Sequence, residues 1–162
     1  MAEHNAAWMA EGSYGVMVHY LIYPTGDSDA AKTADFNRTV DGFDLDYFMK
    51  QFEETGADWL IFTVGQNTGY YNSPNEMLDA ALPGHTSKRD IVVEIAHRVK
   101  ALKKRFIAYF PAEIVSLPEE LKRAFGWNPE HSNAFPFLVP GMKCFRGRHN
   151  QNSVSFFLQA FG

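Results

Sequence analysis

Short apolar runs alternating with helically spaced apolar residues organise the first two thirds of the chain. Gly15-Val16-Met17-Val18-His19-Tyr20-Leu21-Ile22 lies between Gly12 and Pro24 and has the length and composition of a strand buried on both faces. Residues 24 to 42 are rich in Gly, Asp, Ser and Thr without sustained periodicity, which predicts a long excursion from the end of that strand. Leu45, Phe48, Met49 and Phe52 then recur at i, i+3, i+4 and i+7, one face of a helix, and Gly56 supplies its C-terminal stop. A second buried strand follows at once in Asp58-Trp59-Leu60-Ile61-Phe62-Thr63-Val64. The plan repeats with Ser87 and Asp90 in a capping-box arrangement, Ile91, Val92, Ile95, Val99 and Leu102 on a helix, and Phe106-Ile107-Ala108-Tyr109-Phe110 as a third strand. Ser116 and Glu119 predict a further helix, with Pro118 tolerated in its first turn and Gly126 closing it.

Alternation of strand and helix implies an α/β fold with a parallel sheet and right-handed crossovers, either a barrel or a doubly wound sheet. A doubly wound nucleotide-binding sheet normally carries a Gly-rich turn after its first strand, and Tyr23-Pro24-Thr25-Gly26-Asp27 is a turn without that Gly-x-Gly-x-x-Gly spacing. The strands begin at intervals of roughly 45 residues, generous for units of a barrel of ~250, and long loops account for the excess. The expected architecture is a partial (β/α)8, TIM-type barrel of about three to four parallel βα units.

The character of the chain changes late. The final 32 residues contain no Asp or Glu. Within them Phe137 to His149 shows no helical period and reads as a turn-rich connector, while Ser153-Val154-Ser155-Phe156-Phe157-Leu158 reads as a strand or a short helix. Residues 1–135 are therefore read as a βα-barrel segment and residues 136–162 as a divergent tail, whose loss of acidic residues suggests an altered reading frame or a segment exchanged between subunits.

Composition narrows the partners. With 162 residues, 46% of them hydrophobic, the chain can bury the core of one domain. Fifteen basic and 19 acidic residues give a net charge of -4, which argues against nucleic acid, whose phosphates demand clustered Lys and Arg. The aromatic fraction of 15% suits either a sugar-binding surface or a large aromatic core. Cys144 is the only cysteine, so no internal disulfide forms and reducing surroundings are tolerated. Met1-Ala2-Glu3-His4-Asn5 lacks a basic stretch leading into an apolar run, and no apolar segment is long enough to span a bilayer, so the expectation is a soluble, cytoplasmic protein without membrane partners.

Three segments in order carry a resemblance. Trp8 precedes Tyr14-Gly15-Val16-Met17-Val18-His19-Tyr20; Phe43-Asp44 opens a helix that ends in Glu54-Thr55-Gly56-Ala57-Asp58-Trp59; Arg89-Asp90-Ile91-Val92 opens the next helix ahead of an aromatic strand. Over residues 8 to 113 the chain resembles the N-terminal part of the alpha-L-fucosidase family of retaining glycoside hydrolases. The resemblance implies a sugar contact for His19, which on residue type alone reads as a hydrogen-bonded core histidine. After the second strand, where that family carries two histidines that bind sugar hydroxyls, this chain has Gly65-Gln66-Asn67-Thr68-Gly69-Tyr70. Gln66 and Asn67 retain donors and acceptors for hydroxyls but do not titrate, and Asn67-Thr68-Gly69 also reads as plain turn chemistry. Tyr70 and Tyr71 either stack on a sugar face or wall the barrel; Tyr109 matches a family aromatic near the sugar, and Glu113 is a carboxylate on the following loop. Barrel enzymes place their sites at the C-terminal ends of the strands, so His19, Gln66, Asn67, Tyr109 and Glu113 are expected to converge there, with Glu113 and His19 as the catalytic candidates and Gln66, Asn67, Tyr70 and Tyr109 as the ligand contacts.

Retaining glycosidases use two carboxyl groups about 5 Å apart. The family nucleophile lies just beyond the fourth strand, and the resemblance ends near Phe135, before that strand. The expectation is a truncated fucosidase-like domain with weak or promiscuous hydrolase activity at most, no cofactor, and a sugar or other small molecule as ligand. Two other classes stay open. One is a metal-assisted hydrolase drawn from His4, His19, His85, His97, His131, His149 and Cys144, none of which forms a His-Glu-x-x-His pair. The other is a non-catalytic fragment that folds or binds carbohydrate. Three or four βα units leave unpaired sheet edges, so the chain is expected to form a homodimer or higher homo-oligomer, with half-barrels facing one another or tails exchanged.

Overall fold

A computed structural model of the chain describes residues 8–66, 68–111, 142–149 and 153–160. In chain order the elements are α1 (Trp8–Glu11), β1 (Gly15–Val18), α2 (Asp29–Asp41), α3 (Leu45–Thr55), β2 (Trp59–Thr63), α4 (Glu76–Ala81), α5 (Ile91–Ala101), β3 (Arg105–Pro111), β4 (Met142–His149) and β5 (Ser153–Ala160). They build a five-stranded sheet in the order β1-β2-β3-β5-β4. The first three strands are parallel, with Met17 opposite Ile61 and Ile61 opposite Ile107. β5 runs antiparallel to both β3 and β4.

The helices start where side chains can satisfy their first N–H groups. Asp44 accepts from the Tyr47 N–H at 2.9 Å, Asn75 from those of Met77 and Leu78 at 3.1 and 3.0 Å, and Asp90 from that of Val93 at 2.9 Å. α3 stops at Gly56, whose φ of 71° is the left-handed conformation glycine adopts without steric cost. The core lies between the helices and one face of the sheet. Leu60, Phe62, Phe106 and Ala108 pack there with Met49 and Phe52 of α3 and with Ile91, Val92, Ile95 and Val99 of α5. Each large side chain so buried contributes about 1.5–3 kcal/mol through removal from water.

On the opposite face the N-terminal ends of the strands are closed by aromatics. The Trp59 indole lies directly over Gly15, Trp8 meets Trp59 edge to face at 5.5 Å, and the Arg105 guanidinium sits 5.6 Å from the Trp8 ring. Further along that face Met17 is 40% exposed. β1 is therefore not buried on both faces, and its ladder ends at Val18 instead of continuing to Ile22, the Tyr20 N–H beyond it being taken by Thr63 Oγ1.

Other sequence expectations also change. The supposed excursion of residues 24 to 42 contains α2, capped by Ser28 through the Ala31 N–H at 3.2 Å. Its apolar stripe is narrow, Phe36 and Val40 alone being fully buried, so no extended period is visible in the sequence. Asp90, not Ser87, is the cap of α5, since the Ser87 hydroxyl donates to the Arg89 carbonyl at 2.7 Å. The stretch read as a turn-rich connector contains β4, which pairs residue for residue with β5 from Met142–Ala160 to His149–Ser153; pairing in a hairpin supplies the order that local periodicity does not. The helix expected after Ser116 lies outside the described residues.

Candidate functional site

His19 follows β1 by one residue, Gln66 follows β2 by three, and Tyr109 lies within β3 opposite Thr63. All three stand at the C-terminal end of the parallel strands. His19 Nδ1 and Gln66 Oε1 are 2.8 Å apart, and the Tyr109 ring meets the imidazole edge to face at 6.0 Å. A carboxamide oxygen only accepts, so Nδ1 is the donor in this contact, and the tautomer protonated there presents Nε2 as a lone-pair acceptor. Among the described residues no group accepts from the Gln66 carboxamide N–H, and no carboxylate is bonded to His19 or Gln66. His19 is exposed, and Gln66 and Tyr109 are half-buried.

Next to this cluster lies a polar group of three residues, with Thr63 and Asn72 buried and Tyr20 half-buried. The Tyr20 N–H donates to Thr63 Oγ1 at 2.8 Å, and the Thr63 hydroxyl is 3.4 Å from the Tyr20 carbonyl. Asn72 Nδ2 donates to the Tyr20 carbonyl at 3.0 Å and to the Thr63 carbonyl at 3.4 Å. The Asn72 main-chain N–H donates to the Val64 carbonyl at 2.6 Å, and the Val64 N–H to the Tyr109 carbonyl at 2.9 Å. Sequence reasoning missed Asn72 and Thr63. Their sequence signal is slight, a polar residue after Tyr70-Tyr71 and a threonine closing a strand, both ordinary in turns.

The loop between Gln66 and Asn72 is built for close approach. A Cβ on Gly65 would stand 2.6 Å from the Tyr70 carbonyl and from the Tyr71 ring. Thr68 Oγ1 accepts from the Tyr70 N–H at 3.2 Å, and Gly69 has φ 74°. Tyr70 is not brought to the His19 cluster: its ring packs in the core against Phe36 at 5.0 Å and stacks on His85 at 4.6 Å. Tyr71 is buried and stacks on Phe110 at 5.4 Å, and desolvation pushes its phenol up to about 12. Asn67 and Glu113 lie outside the described residues.

Arg89, singled out within Arg89-Asp90-Ile91-Val92, serves the scaffold. Its Nη1 donates to the carbonyls of Val40, Asp41 and Phe43 at 3.2, 2.9 and 3.0 Å, while Nη2 pairs with Glu94 at 2.7 Å. The hydrogen bond from Arg89 holds the Glu94 carboxyl below its ordinary range. Burial raises the Tyr20 phenol, against the opposing pull of Arg89.

His85 Nδ1 bonds the Gly69 carbonyl at 2.8 Å, and His97 lies exposed on α5. Among the described residues no group of three His, Cys, Asp or Glu side chains could hold a metal ion, and no helix is long and apolar enough to cross a membrane. The cluster of His19, Gln66 and Tyr109 has the donors and acceptors to exchange hydrogen bonds with a hydroxyl, with an aromatic ring beside them. No family model, no curated protein and no solved structure matches the chain.

Proposed function

We propose that the tips of β1, β2 and β3 bind a neutral, hydroxyl-rich small molecule of the sugar type, in a partial (β/α)8 barrel related to the alpha-L-fucosidases. The observation that carries this reading is the 2.8 Å contact between His19 Nδ1 and Gln66 Oε1 beside the Tyr109 ring. With Nδ1 committed to Gln66, Nε2 seeks a donor, and the Gln66 N–H group seeks an acceptor. A hydroxyl is both, whereas an anion offers only acceptors. Glu113, on the segment following β3, is the proposed general base or acid, acting with a bound water and assisted by His19. Without the family's nucleophile such help amounts to roughly 10² to 10⁴-fold, hence weak hydrolysis of activated substrates at most.

The barrel is completed, in this reading, by a second copy of the chain in a cytoplasmic homodimer. β1 is the outer strand on one side, while the β4–β5 hairpin occupies the free edge of β3, a pairing that an exchanged tail would reproduce between chains. Sedimentation showing only monomer at micromolar concentration removes the dimer. A panel of aryl glycosides and aryl esters tests the chemistry: turnover that is lost in Glu113→Gln and reduced in His19→Ala supports it. Turnover unchanged in both variants contradicts it, and turnover abolished by chelation favours a metal-assisted hydrolase instead.

A further inference from the structure

We propose that Asn72, acting with Thr63, is the positioning residue that sets the geometry of the His19–Gln66 pair. The proposal rests on reading that pair as the ligand contact. The main-chain ladder of β1 and β2 ends at Val18 opposite Phe62, one residue before His19. Beyond that point the polar groups of Tyr20, the next residue along, are taken up by side chains: its N–H by Thr63 Oγ1 at 2.8 Å and its carbonyl by Asn72 Nδ2 at 3.0 Å. Asn72 also grips the β2 tip, its Nδ2 donating to the Thr63 carbonyl at 3.4 Å and its main-chain N–H to the Val64 carbonyl at 2.6 Å, just ahead of Gly65 and Gln66. Val64 in turn donates to the Tyr109 carbonyl at 2.9 Å. The Asn72 side chain, in a residue 2% exposed, thus ties the segment after β1 to the tip of β2, and main-chain bonds of Asn72 and Val64 carry the connection on to β3.

The chemistry demands an amide. Both acceptors facing Nδ2 are carbonyl oxygens, so an isosteric carboxylate at this position places negative charge against two negative dipoles. The same logic makes the Thr63 hydroxyl necessary and its methyl dispensable: a serine keeps the donor and acceptor, and a valine removes both.

The test reads the His19 ring in the ligand-free protein by long-range proton–nitrogen NMR, in wild type, Asn72→Asp, Thr63→Val and Thr63→Ser. The expected wild-type spectrum is that of a single tautomer protonated at Nδ1, retained in Thr63→Ser. In Asn72→Asp and Thr63→Val the two ring nitrogen shifts move towards each other as the tautomers mix. Should Asn72→Asp fail to fold, the valine–serine contrast at position 63 decides alone. A folded Asn72→Asp or Thr63→Val protein with the wild-type His19 spectrum overturns the proposal, as does a wild-type ring not protonated at Nδ1. No ligand enters the experiment, so failure of sugar binding leaves this result standing and condemns only the functional reading.

Discussion

His19 and Gln66, 47 positions apart in sequence, are joined at 2.8 Å across the tips of two adjacent parallel strands. Neither strand places its residue alone. The parallel register sets β1 beside β2, and the buried carboxamide of Asn72 holds the chain beyond the point where the ladder stops.

Replacing Gln66 with leucine removes the acceptor for His19 and the N–H donors available to a ligand. One net hydrogen bond contributes about 1 kcal/mol, so affinity for a neutral monosaccharide falls by about fivefold or more while the melting temperature stays near wild type. Titration calorimetry alongside thermal melting checks both halves.

Gly15 is required by its neighbour. A Cβ there would lie 1.8 Å from Nε1 of Trp59, so Gly15→Ala forces the indole out of its place. Overpacking of this kind costs about 1–3 kcal/mol, measured as a lower urea midpoint. Combined with Trp59→Leu the same glycine substitution costs less.

Tyr71 links stability to alkaline pH. Its phenol is raised from 10.0 to about 12 by burial, so the unfolded chain ionises first as pH rises. The stabilisation of the neutral phenol is fully present below pH 10 and is lost between about 10 and 12. That two-unit window corresponds to about 2–3 kcal/mol. Tyr71→Phe flattens the loss, and denaturant melts across this range measure it.

Arg89→Met removes the guanidinium donor from the carbonyls of Val40 and Asp41 at the end of α2 and of Phe43 beyond it, and leaves Glu94 without its partner. The expected loss is about 2 kcal/mol near neutral pH. Because the folded Glu94 carboxyl is depressed, its contribution is present above the ordinary carboxylate range and disappears as pH falls through the folded value. The variant therefore loses less stability on acidification than wild type does, which melts from pH 7 down to pH 3 resolve.

The parallel sheet was legible because β2 and β3 are continuous apolar runs and because α3 and α5 show clear helical spacing with Asp caps. α2 was not, since two fully buried residues leave no sustained stripe. β4 was hidden for a different reason: an antiparallel hairpin is specified by its partner, and Met142 to His149 carries little period of its own. At the site, His19, Gln66 and Tyr109 were singled out through the resemblance, which assigns ligand contacts to the ends of the first three strands; on residue type alone His19 reads as a core histidine. Asn72 was not singled out, because its role arises from carbonyls 52 and nine residues away, a relationship no local pattern encodes.

The most direct measurement is an NMR titration of the wild-type protein with neutral monosaccharides, L-fucose among them, following the His19 ring and the Gln66 side-chain amide. Saturable shifts are expected at both groups, with His19 still protonated at Nδ1 and Nε2 moving as it accepts from a ligand hydroxyl. Saturable binding that leaves His19 and Gln66 unperturbed, or no binding by any sugar tried, would contradict the proposed site.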